Sequence, residues 1–346
     1  MSALLHQIGP LLTDGEIRFD WGGLKAGFWR LTVDGLAYGA IYALVAIGYT
    51  LVYGVLRLIN FAHSEVFMFG MFGQYVALMA LGFVPTPSAY HQGTMLTIVF
   101  IGAAMIVGML VGGGTALGLE RVAYRPLRRR NAPSLVFLIT AIGASFVLQE
   151  FVHFVLPKLT GNSLGGSVPE SPIILIRPTE QFKLFDASVT NVTILIVLAA
   201  LGLTVATDVF VNKTKFGRGI RAVAQDPTTA TLMGVSRERI IMVTFIVGGI
   251  LAGAAAMLYV IKIPQGIIYS GGFILGIKAF SAAVLGGIGN LRGALLGGLI
   301  LGLAENYGQV YFGSQWRDVV AFVLLVLVLM FRPTGILGES LGRSKA

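Results

Sequence analysis

Long apolar runs separated by short basic segments leave this chain few ways to fold. Residues 31–55, 95–119, 134–156, 192–211 and 240–261 are each apolar for about 20 residues or more, and a last run covers 319–331. About 20 helical residues cross the hydrocarbon core of a bilayer. Within that core no water can pair with free backbone groups, so each run must satisfy its own N–H and C=O groups as a helix. Composition agrees: 55% of the chain is hydrophobic and 12% is charged, against about 25% charged in an average soluble domain. The 46 glycines suit helices that approach closely without a hydrophobic driving force. The expected fold is an all-α polytopic membrane protein with about 8–9 transmembrane helices, some of them broken or re-entrant.

Charge placement orients these spans. Arg121, Arg125, Arg128, Arg129 and Arg130 fall between the runs 95–119 and 134–156, and Lys213, Lys215, Arg218 and Arg221 follow the run 192–211. Both groups fall on one side, the cytoplasmic one by the positive-inside rule. The net charge of +9 is thereby accounted for without nucleic acid. The linker 157–190 balances Lys158, Arg177 and Lys183 against Glu170, Glu180 and Asp186, as suits the outer side. Residues 1–30 read as a leader or interfacial segment without the pattern of a signal peptide. A loop is expected over 85–92. Residues 31–333 read as the transmembrane domain, with a polar cytoplasmic loop at 213–239, and 334–346 as a cytoplasmic tail. Pro264 and Gly266 break the run after the sixth span. The glycine-rich stretch that follows reads as two shorter spans meeting near 289–292. Counting back from a cytoplasmic Arg332 puts the N-terminus outside.

Catalytic patterns are missing. There is no GxxxxGK[ST] phosphate loop and no HExxH. The histidines His6, His63, His91 and His153 are scattered, and zero cysteines exclude disulfides and thiolate chemistry. The chain is expected not to be an enzyme and to bind no cofactor or metal. Polar residues inside a bilayer are costly and mark function by default. Asn60, His63 and Glu65 stand at the entry of a further apolar run over 58–81; they line a pathway or gate, or sit at the interface with water and headgroups. Lys278 and Glu305 lie in the glycine-rich third, as an ion pair between neighbouring helices or as substrate contacts. Gly271, Gly272 and Gly289 mark the broken spans, whose helix ends carry partial charges.

One short helix is marked at both ends. Asp226 can cap the first free N–H groups, Pro227 suits the first helical position, and Gly234 supplies a left-handed stop. The enclosed residues 227–233 make about two turns. Such a helix is marginal alone, so its flanks or a partner must hold it. It is either a connector or a docking element.

Five segments, at 59–72, 119–130, 138–149, 221–245 and 271–305, resemble the permease family of branched-chain amino acid ABC importers, the first of its two permease types. The resemblance covers about 31–332. It implies an importer that takes up branched-chain or other hydrophobic amino acids, and close relatives carry urea or short amides. It further implies a second permease subunit, two ATP-binding cassette subunits that use ATP and Mg²⁺, and an extracytoplasmic binding protein. Placement in a bacterial or archaeal cytoplasmic membrane follows. The loop at 213–239 then corresponds to a coupling loop docked on an ATPase, with Ala224, Asp226, Ala230 and Gly234 matching the family's pattern. Gln225 stands where an acidic residue is common. From the residues alone, a stand-alone channel or ion-coupled carrier is the competing class.

Overall fold

The computed structural model describes residues 19–83, 94–160, 167–168, 174–263, 267–332 and 334–338. The expected loop at 85–92, His6, His91, Pro264, Gly266, Pro333, most of the N-terminal leader and residues 339–346 lie outside the described residues. A short helix α1 (Trp21–Ala26) leads into α2 (Phe28–Leu56), followed by α3 (His63–Ala80) and α4 (Thr94–Leu119). A π-turn at Glu120–Tyr124 and α5 (Arg125–Arg129) prolong α4, and α6 (Ser134–Thr160) comes next. After strands β1 (Ser167–Val168), β2 (Glu180–Leu184) and β3 (Ala187–Thr190) come α7 (Asn191–Lys213), α8 (Lys215–Gln225), α9 (Pro227–Leu232) and α10 (Arg237–Lys262). Strand β4 (Ile267–Ile268), α11 (Gly271–Gly286), α12 (Leu291–Phe312) and α13 (Arg317–Phe331) complete the order.

Six stretches are long and apolar enough to span: Phe28–Leu56, Met95–Arg129, Ser134–Val155, Asn191–Lys213, Arg237–Lys262 and Ser314–Phe331. With α3, α11 and α12 the described residues hold nine membrane helices.

Glycine sets the packing at the centre of the bundle. Helix α2 runs antiparallel to α12, and Gly35 and Gly39 of α2 lie against Gly302 and Gly298 of α12. A Cβ at Gly39 would stand 2.8 Å from the Gly298 carbonyl oxygen. The same device joins α4 to α10, where Gly108 and Gly112 face Gly253 and Gly249. In each pair two glycines four residues apart share one helix face, so the backbones touch. Helices α2 and α10 form the buried axis: Ala37, Ile41, Leu44, Ala46 and Ile47 of α2 and Ala252, Ala255 and Met257 of α10 are inaccessible. Helices α6, α7 and α13 expose apolar side chains such as Phe146, Val205 and Val326, as a surface facing lipid or another membrane chain must.

Three features depart from the sequence reading. The basic stretch 120–130 is helical rather than a loop. Its π-turn turns both Glu120 and Tyr124 inward, and Glu120 pairs with Arg125 at 3.3 Å and Arg128 at 2.5 Å. The linker 157–190 contains a hairpin of β2 and β3. Ala187 and Val189, alternating with Ser188 and Thr190, bury one strand face against Val33 of α2. Residues 334–338 fold back on the bundle, where the Ile336 and Leu337 amides donate to Leu285 and Gly286 at 2.9 Å.

Candidate functional site

Two helices begin inside the bundle. The ring of His63, the first residue of α3, lies against Gly48 of α2, where a Cβ would stand 2.5 Å from Nε2. Gly48 is eight residues before the end of α2 at Leu56, about 12 Å at the rise of a helix. The connector from Arg57 to Ala62 therefore climbs back into the bundle before α3 starts. Helix α11 does the same from the opposite side. Its first turn sits on α3: a Cβ at Gly272 would stand 2.8 Å from Met68 Cβ and the Ser64 carbonyl oxygen and 3.3 Å from Glu65 Oε2. One turn later, a Cβ at Gly276 would collide with Ser64 and stand 3.2 Å from the Tyr49 hydroxyl. Two helix N-termini, each carrying a partial positive charge, thus meet inside the bundle.

Glu65 sits between them and is inaccessible. Its Oε1 accepts from the Ser145 hydroxyl at 3.0 Å and lies 3.3 Å from the Ser64 hydroxyl, which donates to the Phe61 carbonyl at 2.7 Å. Its Oε2 has no donor among the described residues. His63 packs edge-on to Tyr49 with ring centroids 4.7 Å apart. Asn60, on the connector, accepts from the Tyr124 hydroxyl at 2.7 Å. Asn60 also lines a small cleft with Tyr49, Tyr53, Ile59, Phe280, Ala283 and Ile288. Asn60, His63 and Glu65 are all at most 3% exposed, so neither bulk water nor headgroups satisfy them in this conformation.

The other polar residues singled out in the sequence fall in separate places. Lys278 and Glu305 meet at 3.1 Å in a buried network. Glu305 also accepts from Tyr42 at 2.8 Å and pairs with Arg317 at 3.2 Å, and Lys278 reaches Asp318 at 2.5 Å. The Arg317 guanidinium lies 4.5 Å from the centre of the Tyr38 ring. Gly271 faces open space at the start of α11. Gly289 lies in the turn between α11 and α12 with φ +100°, at the far end of α11 from the Glu65 cluster. Tyr49, Ser145 and Arg317 were not signalled by the sequence. Ser145 and Tyr49 lie within apolar runs, and Arg317 precedes one, so only the contacts reveal them.

On the basic side, Asp226 Oδ1 accepts from the Thr228 and Thr229 amides at 2.9 and 3.2 Å. The Thr229 hydroxyl donates to Oδ2, and these bonds, the hydroxyl first, hold the Asp226 carboxyl below its usual range. Helix α9 runs Pro227–Leu232, with Met233 as its C-cap and Gly234 at φ +85°. The Val235 amide donates to Ala230 and the Gly234 amide to Thr231, a Schellman closure. Ala230 is buried, whereas Leu232 and Met233 are 83% and 80% exposed. Arg57 ties this module to the bundle. Its guanidinium donates to the carbonyls of Ala224 and Gln225 at 3.1 and 3.3 Å, at the C-terminus of α8.

Residues 31–329 match the family model described as branched-chain amino acid transport system / permease component. The chain belongs to that family. The permease is 42% identical over 311 residues to the high-affinity branched-chain amino acid transport system permease protein BraD of Pseudomonas aeruginosa. That match covers 89% of this chain and 94% of BraD. It is 37% identical to the LivH permease protein of Escherichia coli K12, over 90% of this chain and 96% of LivH. A probable LivH from Methanocaldococcus jannaschii is 27% identical over 89% of this chain and 92% of that protein. The permease is thus a multi-pass membrane transport subunit and not an enzyme.

Proposed function

We propose that this chain is the permease subunit of an ATP-driven importer for branched-chain or other hydrophobic amino acids. It works beside a second permease subunit, with two ATP-binding cassette subunits that hydrolyse MgATP and a binding protein that delivers substrate from outside. The observation that carries this reading is the α8–α9 module. A two-turn helix closed at both ends presents Leu232 and Met233 to the cytoplasm while Ala230 anchors it. Exposed large apolar residues on a rigid element are what a cleft in a partner would take.

Arg57 supports the same reading from inside. It joins the carbonyl end of α8 to the connector that carries Asn60 and opens α3. A displacement of α9 by a closing ATPase dimer then reaches the start of α3 through one short lever, and the bundle rocks between inward- and outward-facing states. Asn60, His63, Glu65, Gly271 and Gly272 are the pathway residues in this mechanism. Gly289 acts as a turn, and Lys278 with Glu305 clamps α11 to α12 and α13.

The test is recovery of partners from the native membrane in mild detergent, identified by mass spectrometry. Two P-loop ATPases and a second permease are expected with the tagged wild type. Asp226→Ala combined with Gly234→Val unpins both ends of α9 and is expected to lose the ATPases while the permease itself remains folded. Undiminished ATPase recovery by that variant rejects the docking role. A homo-oligomer without ATPase, active in gradient-driven flux, supports the channel or carrier class instead.

A further inference from the structure

Glu65 carries one oxygen that nothing in the described structure uses. Oε1 is committed to the Ser145 hydroxyl, with the Ser64 hydroxyl 3.3 Å away. Oε2 is buried and lacks a donor, and burying part of a carboxylate unpaired is costly. The Ser145 hydroxyl holds the other oxygen, and Oε2 turns toward the first turn of α11, 3.3 Å from where a Gly272 Cβ would stand. No side chain caps that helix start. Its first residue, Gly271, borders open space, and Phe273 and Ile274 of the same turn are 41% and 51% exposed. Only the first turn of α11 separates Oε2 from an accessible surface.

These parts are complementary to a zwitterion. A free carboxylate oxygen lies within one turn of uncapped helix N–H groups. Such N–H groups favour an anion, and half-helices that start inside a membrane use them on substrate carboxylates in other transporters. We propose that Glu65 Oε2 accepts the α-ammonium group of the transported amino acid while the N-terminus of α11 holds its carboxylate. The proposal deepens the importer reading and rests on it. It makes Glu65 the residue that separates amino acids from uncharged amides, whose nitrogen has no positive charge to offer. Glycine at 271 keeps the approach free of a side chain, and glycine at 272 lets the first turn of α11 sit directly on α3.

The test is uptake of radiolabelled leucine into proteoliposomes that hold the complete importer, with its binding protein, with and without ATP. A charge-assisted hydrogen bond made by Oε2 predicts that Glu65→Gln lowers uptake about 10- to 100-fold. Glu65→Asp, which keeps the charge, retains more uptake than Glu65→Gln. If Glu65 is only a buried hydrogen-bonding plug, the order reverses, because Gln keeps the volume. Uptake by Glu65→Gln equal to or above that of Glu65→Asp therefore overturns the proposal. Gly271→Val tests it independently of the acid. A Cβ at 271 meets no atom within 4 Å, so this variant is expected to assemble, as read by subunit recovery. It fills the approach, and uptake falls about tenfold. Undiminished uptake by Gly271→Val also overturns the proposal. Leucine uptake by the wild type that proceeds without ATP would instead remove the importer reading, and the order of the Glu65 variants would still judge the site.

Discussion

Glu305 shows what a single buried charge demands of its surroundings. It is inaccessible, and its two oxygens are shared by Lys278, Arg317 and the Tyr42 hydroxyl. Lys278 answers a second acid, Asp318, which is half exposed. The cluster therefore holds two cations and two anions on three helices. Removing one partner of a buried pair leaves the other uncompensated, at a cost of about 3–5 kcal/mol. Glu305→Gln is expected to lower the melting temperature in detergent sharply. Adding Lys278→Gln is expected to restore part of the loss, a coupling that a double-mutant cycle reads directly. Additive losses would show that the two residues act separately. Pairing of Lys278 with Glu305 is legible in sequence, because two opposite charges in one apolar third have few other partners. The Arg317, Tyr42 and Asp318 contacts are not legible, since nothing local in those residues points to a helix 263 residues away in the case of Tyr42.

At the scale of the element, glycine position decides which helices can touch. Gly39 and Gly253 lie where a Cβ would collide with the facing backbone of Gly298 and Gly108. Gly102, Gly114 and Gly202 face no atom within 4 Å. Gly39→Val and Gly253→Val are expected to separate α2 from α12 and α4 from α10, costing upward of about 1–3 kcal/mol each. Gly202→Ala is expected to be neutral or stabilising by about 1 kcal/mol, since alanine favours the helix. The fraction of monodisperse protein on size exclusion after brief heating measures both. Equal tolerance of the two classes would refute the crossing-point assignment. The capped helix α9 was readable because Asp226, Pro227 and Gly234 act within their own turn. The re-entry of 57–62 was not readable, because a short polar connector looks the same whether it stays at the surface or climbs back into the bundle.

For the whole molecule, the contacts set an alternating order of directions. Lys262 at the end of α10 pairs with Asp34 near the start of α2 at 2.7 Å, and Arg57 at the other end of α2 holds α8. The hairpin tip Phe185, stacked on Trp29 at 4.4 Å, belongs to the first of these ends, and Leu232 to the second. The absence of cysteine from the chain makes labelling clean. Phe185→Cys is expected to react with a membrane-impermeant maleimide on intact cells. Leu232→Cys is expected to react only after the membrane is opened. The opposite pattern would invert the orientation read from the arginine-rich loops.

Membership of a helical membrane class, the long apolar spans, the basic side and the caps of α9 all follow from the order of residues along the chain. Each rests on interactions within one helix, one turn or one loop and the solvent around it. The depth at which α3 and α11 begin, the orientation of Glu65 between them and the charge cluster around Glu305 follow from tertiary structure alone. They depend on where helices far apart in sequence come together. That is governed by which glycine faces meet and how buried charges are compensated across helices, terms that no local stretch of residues contains.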